Sequence, residues 1–172
     1  MIKKIALSSV LMALVVVSLF VGSIWPVKIA MSLAASLLIS VVVIECGHKF
    51  AWLVYFGCSF ISFLIIPKKM LVYGFILFLG YYPIIKLYIE RPGKLILEWV
   101  IKLLCFNIVL AVSFFTAKIF LLPSLDASLV GFVFKYIAAI IAISEVCFVV
   151  YDLGISYFIS YYQQKLRGFI KL

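Results

Sequence analysis

The chain has 172 residues, of which 68% are hydrophobic, 17% aromatic and only 12% charged. Soluble domains are about 45–50% apolar and about 25% charged, so this sequence has too few charges to clothe a core, and soluble globular, disordered and fibrous classes are excluded. The net charge of +9, from 15 Lys and Arg against 6 acids, punctuates apolar runs and points to orientation in a membrane rather than to nucleic acid.

Six apolar runs follow in chain order: Ile5–Trp25, Ile29–Cys46, Phe50–Ile66, Met70–Ile89, Leu97–Leu122 and Leu129–Tyr161. A helix crosses the hydrocarbon in about 20 residues, with a range of about 17–25, so the second and third runs are short and the last exceeds one crossing. Runs such as Ala35 to Ile44 do not alternate polar and apolar residues, as the strands of a closed barrel must. The expected fold is therefore all-α: an integral membrane protein built as a six-helix transmembrane bundle. The joints are terse and rich in Pro, Gly and Lys (Pro26 to Lys28, Gly47 to Lys49, Pro67 to Lys69, Arg91 to Lys94, Pro123 to Ser128), which are helix-stopping compositions. No linker separates domains, so residues 1–172 read as a single transmembrane domain.

The first run follows Lys3 and Lys4 and has Val21-Gly-Ser23 near its end, like a signal peptide. It is longer than the 7–15 residues usual for such an apolar segment, and it is expected to remain as the first helix. With the N-terminus inside, the inner segments hold Lys3, Lys4, Lys49, Arg91, Lys94, Lys165, Arg167 and Lys171, and the outer ones only Lys28, Lys68 and Lys69. That asymmetry predicts both termini in the cytoplasm of a cell-membrane protein. The tail from Tyr161 to Leu172, basic and aromatic, reads as an anchor on anionic lipid.

This topology assigns depths to the polar residues. Glu45, Glu90, Glu98, Glu145 and Asp152 fall on the inner side and only Asp126 outside. Lys86 and Glu90, and Glu98 and Lys102, stand at i,i+4 spacing, which favours pairing, and His48 belongs to the same inner end. This set suits either interfacial snorkelling with ordinary pairing or a cytoplasmic docking surface. Glu145 and Asp152 lie seven residues apart, about 20° from eclipsed on a helix. They fit a buried pair with Lys102 or Lys86, and equally a proton relay.

Towards the outside, Asn107, Lys118 and Lys135, with Tyr73, Trp25 and Lys28, compose an expected ring of lysine and aromatic residues around an outward cavity. Such a lining suits a small anionic or flat conjugated ligand. Asn107 alone serves equally as a hydrogen-bonding residue between helices. Small-xxx-small pairs, Ser9 with Ala13, Ala30 with Ala34 and Ser36 with Ser40, mark close helix contacts, by default within the chain. Pro83 is expected to kink the fourth helix and release a backbone carbonyl. The cysteines, Cys46, Cys58, Cys105 and Cys147, form no C-x-x-C pair and read as small buried hydrophobes. No P-loop, G-x-S-x-G or H-E-x-x-H is present, and a single His48 builds no histidine metal site, so no catalytic residue, metal or cofactor is expected.

The layout resembles the membrane-embedded substrate-binding subunits (S-components) of energy-coupling factor vitamin transporters. The first helix, Lys3 to Leu14, is similar to the family's small-residue helix, with Ser9 and Ala13 at the places of an Ala-x-x-x-Ala contact for a coupling partner. The stretch from Lys28 through Gly47-His-Lys-Phe-Ala51 to Pro67 and Met70 to Gly74 looks like the family's helices 2–4. The first outer turn, Ser23 to Lys28, is shorter than the family's capping loop. The resemblance implies an outward small-molecule site, a transmembrane coupling subunit and separate cytoplasmic ATPases. The residues alone leave two other functions open: a non-transporting scaffold or regulatory subunit acting through the inner charges, and a stand-alone ion or proton-coupled transporter using Glu145 and Asp152.

Overall fold

The computed structural model describes residues 2–90, 95–120 and 137–166, apart from the side chains of residues 95, 117–120, 137 and 166. Its elements are α1 (Ile2–Ile24), α2 (Lys28–Cys46), α3 (His48–Ile65), α4 (Lys69–Gly74), a π-helical turn (Phe75–Leu79), α5 (Tyr82–Ile89), α6 (Leu95–Phe120), α7 (Ile137–Tyr161) and a second π-helical turn (Tyr162–Leu166). The described residues contain no strand. They supply six helical spans long and apolar enough to cross a membrane, the fourth being Lys69–Ile89 with its interruption and the sixth running from Ala138 to Lys165. The Arg91–Lys94 joint, the connection around Asp126 and the tail beyond Leu166 lie outside the described residues.

The chain divides into two compact units, Met1–Arg91 with Ile155–Leu172, and Pro92–Gly154. In the first unit α1 packs chiefly on α2 and then α3, and α2 also meets α3, α5 and the first π-turn. The core joins Leu11, Val15 and Leu19 of α1 to Ala35, Ile39 and Val42 of α2 and to Ala51, Val54 and Cys58 of α3, with Val72, Phe75 and Ile84 from the fourth span. Close packing of α1 and α2 follows from small buried residues: Ser8, Gly22 and Ser23 on one helix, Ser32, Ser36 and Ser40 on the other. Ser8, Ser32 and Ser40 return their hydroxyl protons to carbonyls three or four residues earlier, which lets a polar side chain enter an apolar interface without an unmet donor.

The predicted Gly47-His-Lys49 joint contracts to Gly47 alone, because α3 already begins at His48. Gly47 has φ 92° and donates its N–H to the Val42 and Val43 carbonyls at 3.2 Å, a left-handed helix end for which glycine carries no Cβ penalty. On α1 the small pair Ser9 and Ala13 is exposed, and the buried stripe runs one position away through Ser8, Leu11, Val15 and Leu19. Packing of Ser9 and Ala13 inside the chain is thereby corrected. Ala30 is exposed too, whereas Ser36 and Ser40 are buried. Of the cysteines, Cys46 and Cys58 are buried but Cys105 is half-buried and Cys147 exposed, which corrects the reading of all four as core residues.

The fourth span is not the single helix expected over Met70–Ile89. The Gly80 N–H donates to the Phe75 carbonyl at 2.7 Å, five residues back, where a regular α-helix would use Ile76. The Ile76 carbonyl so released accepts the Tyr55 hydroxyl proton at 2.9 Å. Pro83 sits in the first turn of α5, where its missing N–H is tolerated, and the chain restarts through Ile84 and Ile85 donating to the Tyr81 carbonyl. A Cβ on Gly80 would stand 2.8 Å from Tyr55 Cε2 and 3.0 Å from the Phe75 carbonyl oxygen, so glycine is what allows the ring to lie against the break. The break expected from Pro83 is present three residues earlier than the proline, and its carbonyl has a side-chain donor from another helix.

Candidate functional site: polar couples in the spans

Each unit contains its own polar centre. In the first unit, Lys86 on α5 is fully buried and its Nζ lies 3.0 Å from Glu90 Oε1, the i,i+4 couple expected from spacing. The His48 ring, opening α3, packs against Tyr88 of α5 with centroids 4.2 Å apart and planes tilted by 31°. His48, Lys86, Tyr88 and Glu90 therefore gather where α3 begins and α5 ends. An ammonium at zero exposure is held only where a carboxylate and other polar groups replace its water.

In the second unit, α6 and the part of α7 up to Gly154 meet along a seam. Lys102 Nζ reaches Asp152 Oδ2 at 3.0 Å, with the two residues 4% and 1% exposed. The same ammonium lies 5.3 Å from the centre of the Trp99 ring. One helical turn along, Phe106 and Phe148 stack almost parallel, centroids 4.4 Å apart and planes 9° apart. Next comes Asn107, whose Nδ2 donates to Glu145 Oε1 at 3.3 Å and to the Leu103 carbonyl at 2.9 Å. The pairs 102–152, 106–148 and 107–145 keep a nearly constant residue-number sum, as two antiparallel helices in one register require.

This arrangement sorts the predicted site residues. Asp152 takes Lys102 across the seam. Glu98, four residues before Lys102, is half-buried and makes no ion pair among the described residues. Asn107, expected beside the outward lysines, is joined to Glu145 instead. Trp25, Lys28 and Tyr73 do share one end of the first unit, where α1 ends and α2 and α4 begin. Trp25 and Lys28 are exposed there, and Tyr73 sets its ring edge-on to Phe63 at 6.3 Å. Phe63 also receives Lys69, which bonds its carbonyl and lies 5.0 Å from its ring centre. Lys135 lies outside the described residues, as does the side chain of Lys118.

Tyr55 and Gly80 are the functional candidates that sequence reasoning missed as a pair. Their signal was the break itself: a carbonyl freed near Pro83 in an apolar span demands a donor, but no local pattern names the donor's helix. No cluster of His, Cys, Asp or Glu among the described residues is arranged to hold a metal ion. No protein-family model matches the chain, and no curated protein or solved structure matches it.

Proposed function

We propose that this is a multi-pass protein of the cell membrane with both termini cytoplasmic, serving as the substrate-binding subunit of a small-molecule uptake transporter. The observation that carries this reading is the discontinuous fourth span, with its π-turn, the Gly80–Tyr81 break and the buried Lys86 beyond it. Interrupted helices are where membrane transporters form their ligand sites, since backbone groups leave the helical ladder there. The excess of eight inner over three outer basic residues supports the orientation. The exposure of Ser9 and Ala13 leaves the small-residue face of α1 open to a coupling subunit, in keeping with the energy-coupling factor resemblance. Trp25, Lys28 and Tyr73, at one end of the first unit, make the proposed site for an anionic or flat conjugated ligand; Asn107, engaged with Glu145, leaves that set. Cytoplasmic ATPases and the coupling subunit would supply the energy that this chain has no motif to extract.

Mass spectrometry of the gently solubilised protein tests the reading. The expected result is a co-purifying small molecule, with a coupling subunit and ATPases, whose occupancy falls in the Lys28→Ala, Tyr73→Ala double variant. A ligand-free preparation lacking ATPase partners would overturn it. One observation favours a second reading, a scaffold or regulatory subunit: Glu98 stands without an ion pair among the described residues. That reading requires a partner protein retained without ligand and released by Glu98→Lys.

A further inference from the structure

Asn107 and Glu145 satisfy each other only in part. Asn107 is exposed and Glu145 half-buried. Both Asn107 amide hydrogens are committed, one to Leu103 and one to Glu145. Among the described residues no donor reaches the Asn107 carbonyl oxygen, and no cation pairs with Glu145. The couple thus presents acceptors outward from the middle of a span that runs from Ile96 to Thr116. Hydrocarbon offers these acceptors nothing, and a carboxylate in that position is costly unless a protein group meets it.

The surroundings have the form of a helix-binding face. Leu97, Val100, Leu104, Asn107 and Ala111 are all exposed on α6, at alternating spacings of three and four. That is the heptad seam along which one helix lies against another, and a single polar residue in such a seam fixes its register. On α7, Ile141 and Val146 are exposed beside Glu145.

We propose that this face of α6 and α7 docks a transmembrane helix of a partner protein that carries a lysine or arginine at mid-membrane depth, directed at Asn107 and Glu145. Charge decides the occupant. A second copy of this chain, related by a twofold axis along the membrane normal, would bring Asn107 and Glu145 to the same depth and set acceptor against acceptor. Lys102, the nearest basic residue on α6, is already tied to Asp152. A cationic side chain supplies both the missing donor and the missing charge. The inference rests on the membrane placement proposed above and is independent of transport.

The test uses the full-length chain, fluorescently labelled and reconstituted in phosphatidylcholine vesicles, with acceptor-labelled synthetic polyleucine helices bearing a central Lys, Leu or Glu. Energy transfer is expected to report association with the central-Lys helix about tenfold stronger than with the all-Leu helix, the scale of interhelical hydrogen bonding in model peptides. Glu145→Gln should bring the two helices towards parity, and Glu145→Lys should transfer the preference to the central-Glu helix. Equal association of Lys and Leu helices with the unaltered chain would overturn the proposal. So would self-association of the chain that Asn107→Leu abolishes, since the face would then belong to a second copy. Flotation of each variant with the vesicles checks insertion separately, and a chain that fails to float would refute the membrane placement rather than the choice of partner.

Discussion

The two units are held together by different means. The first relies on shape: valine, leucine and isoleucine interlock across α1, α2 and α3, and serines with internal hydrogen bonds let the backbones approach. In the second, the contacts between the two long helices include a buried ion pair, an aromatic stack and an amide–carboxylate hydrogen bond. Apolar side chains discriminate weakly between neighbouring helix and lipid, so packing alone works where small residues allow dense contact. Between α6 and α7 a few polar couples set the register instead. The second unit should therefore respond most sharply to loss of its buried ion pair, and the first to changes of volume.

The largest effect is expected at the ion pair. Lys102→Ala removes the ammonium 3.0 Å from the buried Asp152 carboxylate and should cost about 3–5 kcal/mol, read as a loss of thermal stability of the purified protein in detergent. Replacing both residues together, Lys102→Met with Asp152→Leu, should restore most of it; equal damage from single and double variants would show that the pair is not the source. Next comes volume at the break in the first unit. Gly80→Ala drives a methyl against the Tyr55 ring and should cost about 1–3 kcal/mol, whereas the same change at Gly74, where a Cβ meets nothing within 4 Å, should leave stability unchanged or improved.

Tyr55→Phe keeps the ring and removes the hydroxyl that bonds the Ile76 carbonyl, for an expected loss of about 1 kcal/mol. Hydrogen exchange should then rise locally, over Phe75 to Tyr81. Exchange that rises evenly along the span would sink the assignment of Tyr55 as the cap of the π-turn. The smallest effect is expected for Asn107→Leu, about 0.6 kcal/mol on the scale of intramembrane hydrogen bonds, because the leucine suits lipid. A loss several times larger would mean that Asn107 organises the seam and does more than decorate its outer face.

The legible part of the fold was the part governed by length and local chemistry. Apolar runs marked six spans, and Gly47 marked a helix end through the left-handed turn it adopts. Pro83 marked an interruption because it has no N–H to give. The Lys86–Glu90 couple could be anticipated because both residues lie on one helix, four apart. Lys102 illustrates the limit. Its buried pairing with Asp152 was among the expectations, with Lys86 as the alternative cation, and the structure has it at 3.0 Å. But Glu98 satisfied the i,i+4 rule as well, and the choice depends on the register of a helix whose pairing residues lie fifty positions away. Asn107 is a second case: its place near the middle of a span was readable, its direction around the helix was not.

The sequence by itself determined that this is a helical chain with six membrane-length spans and a weak point in the fourth, because chain length, hydrophobicity and proline geometry act without reference to neighbours. Tertiary structure alone decided which face of α1 is buried, which helix caps the Ile76 carbonyl, and which carboxylate holds Lys102. Spans that are apolar all round carry little amphipathic signal to orient them. Their facing is set by complementary volumes and by the register that brings distant polar groups within 3 Å or so of one another.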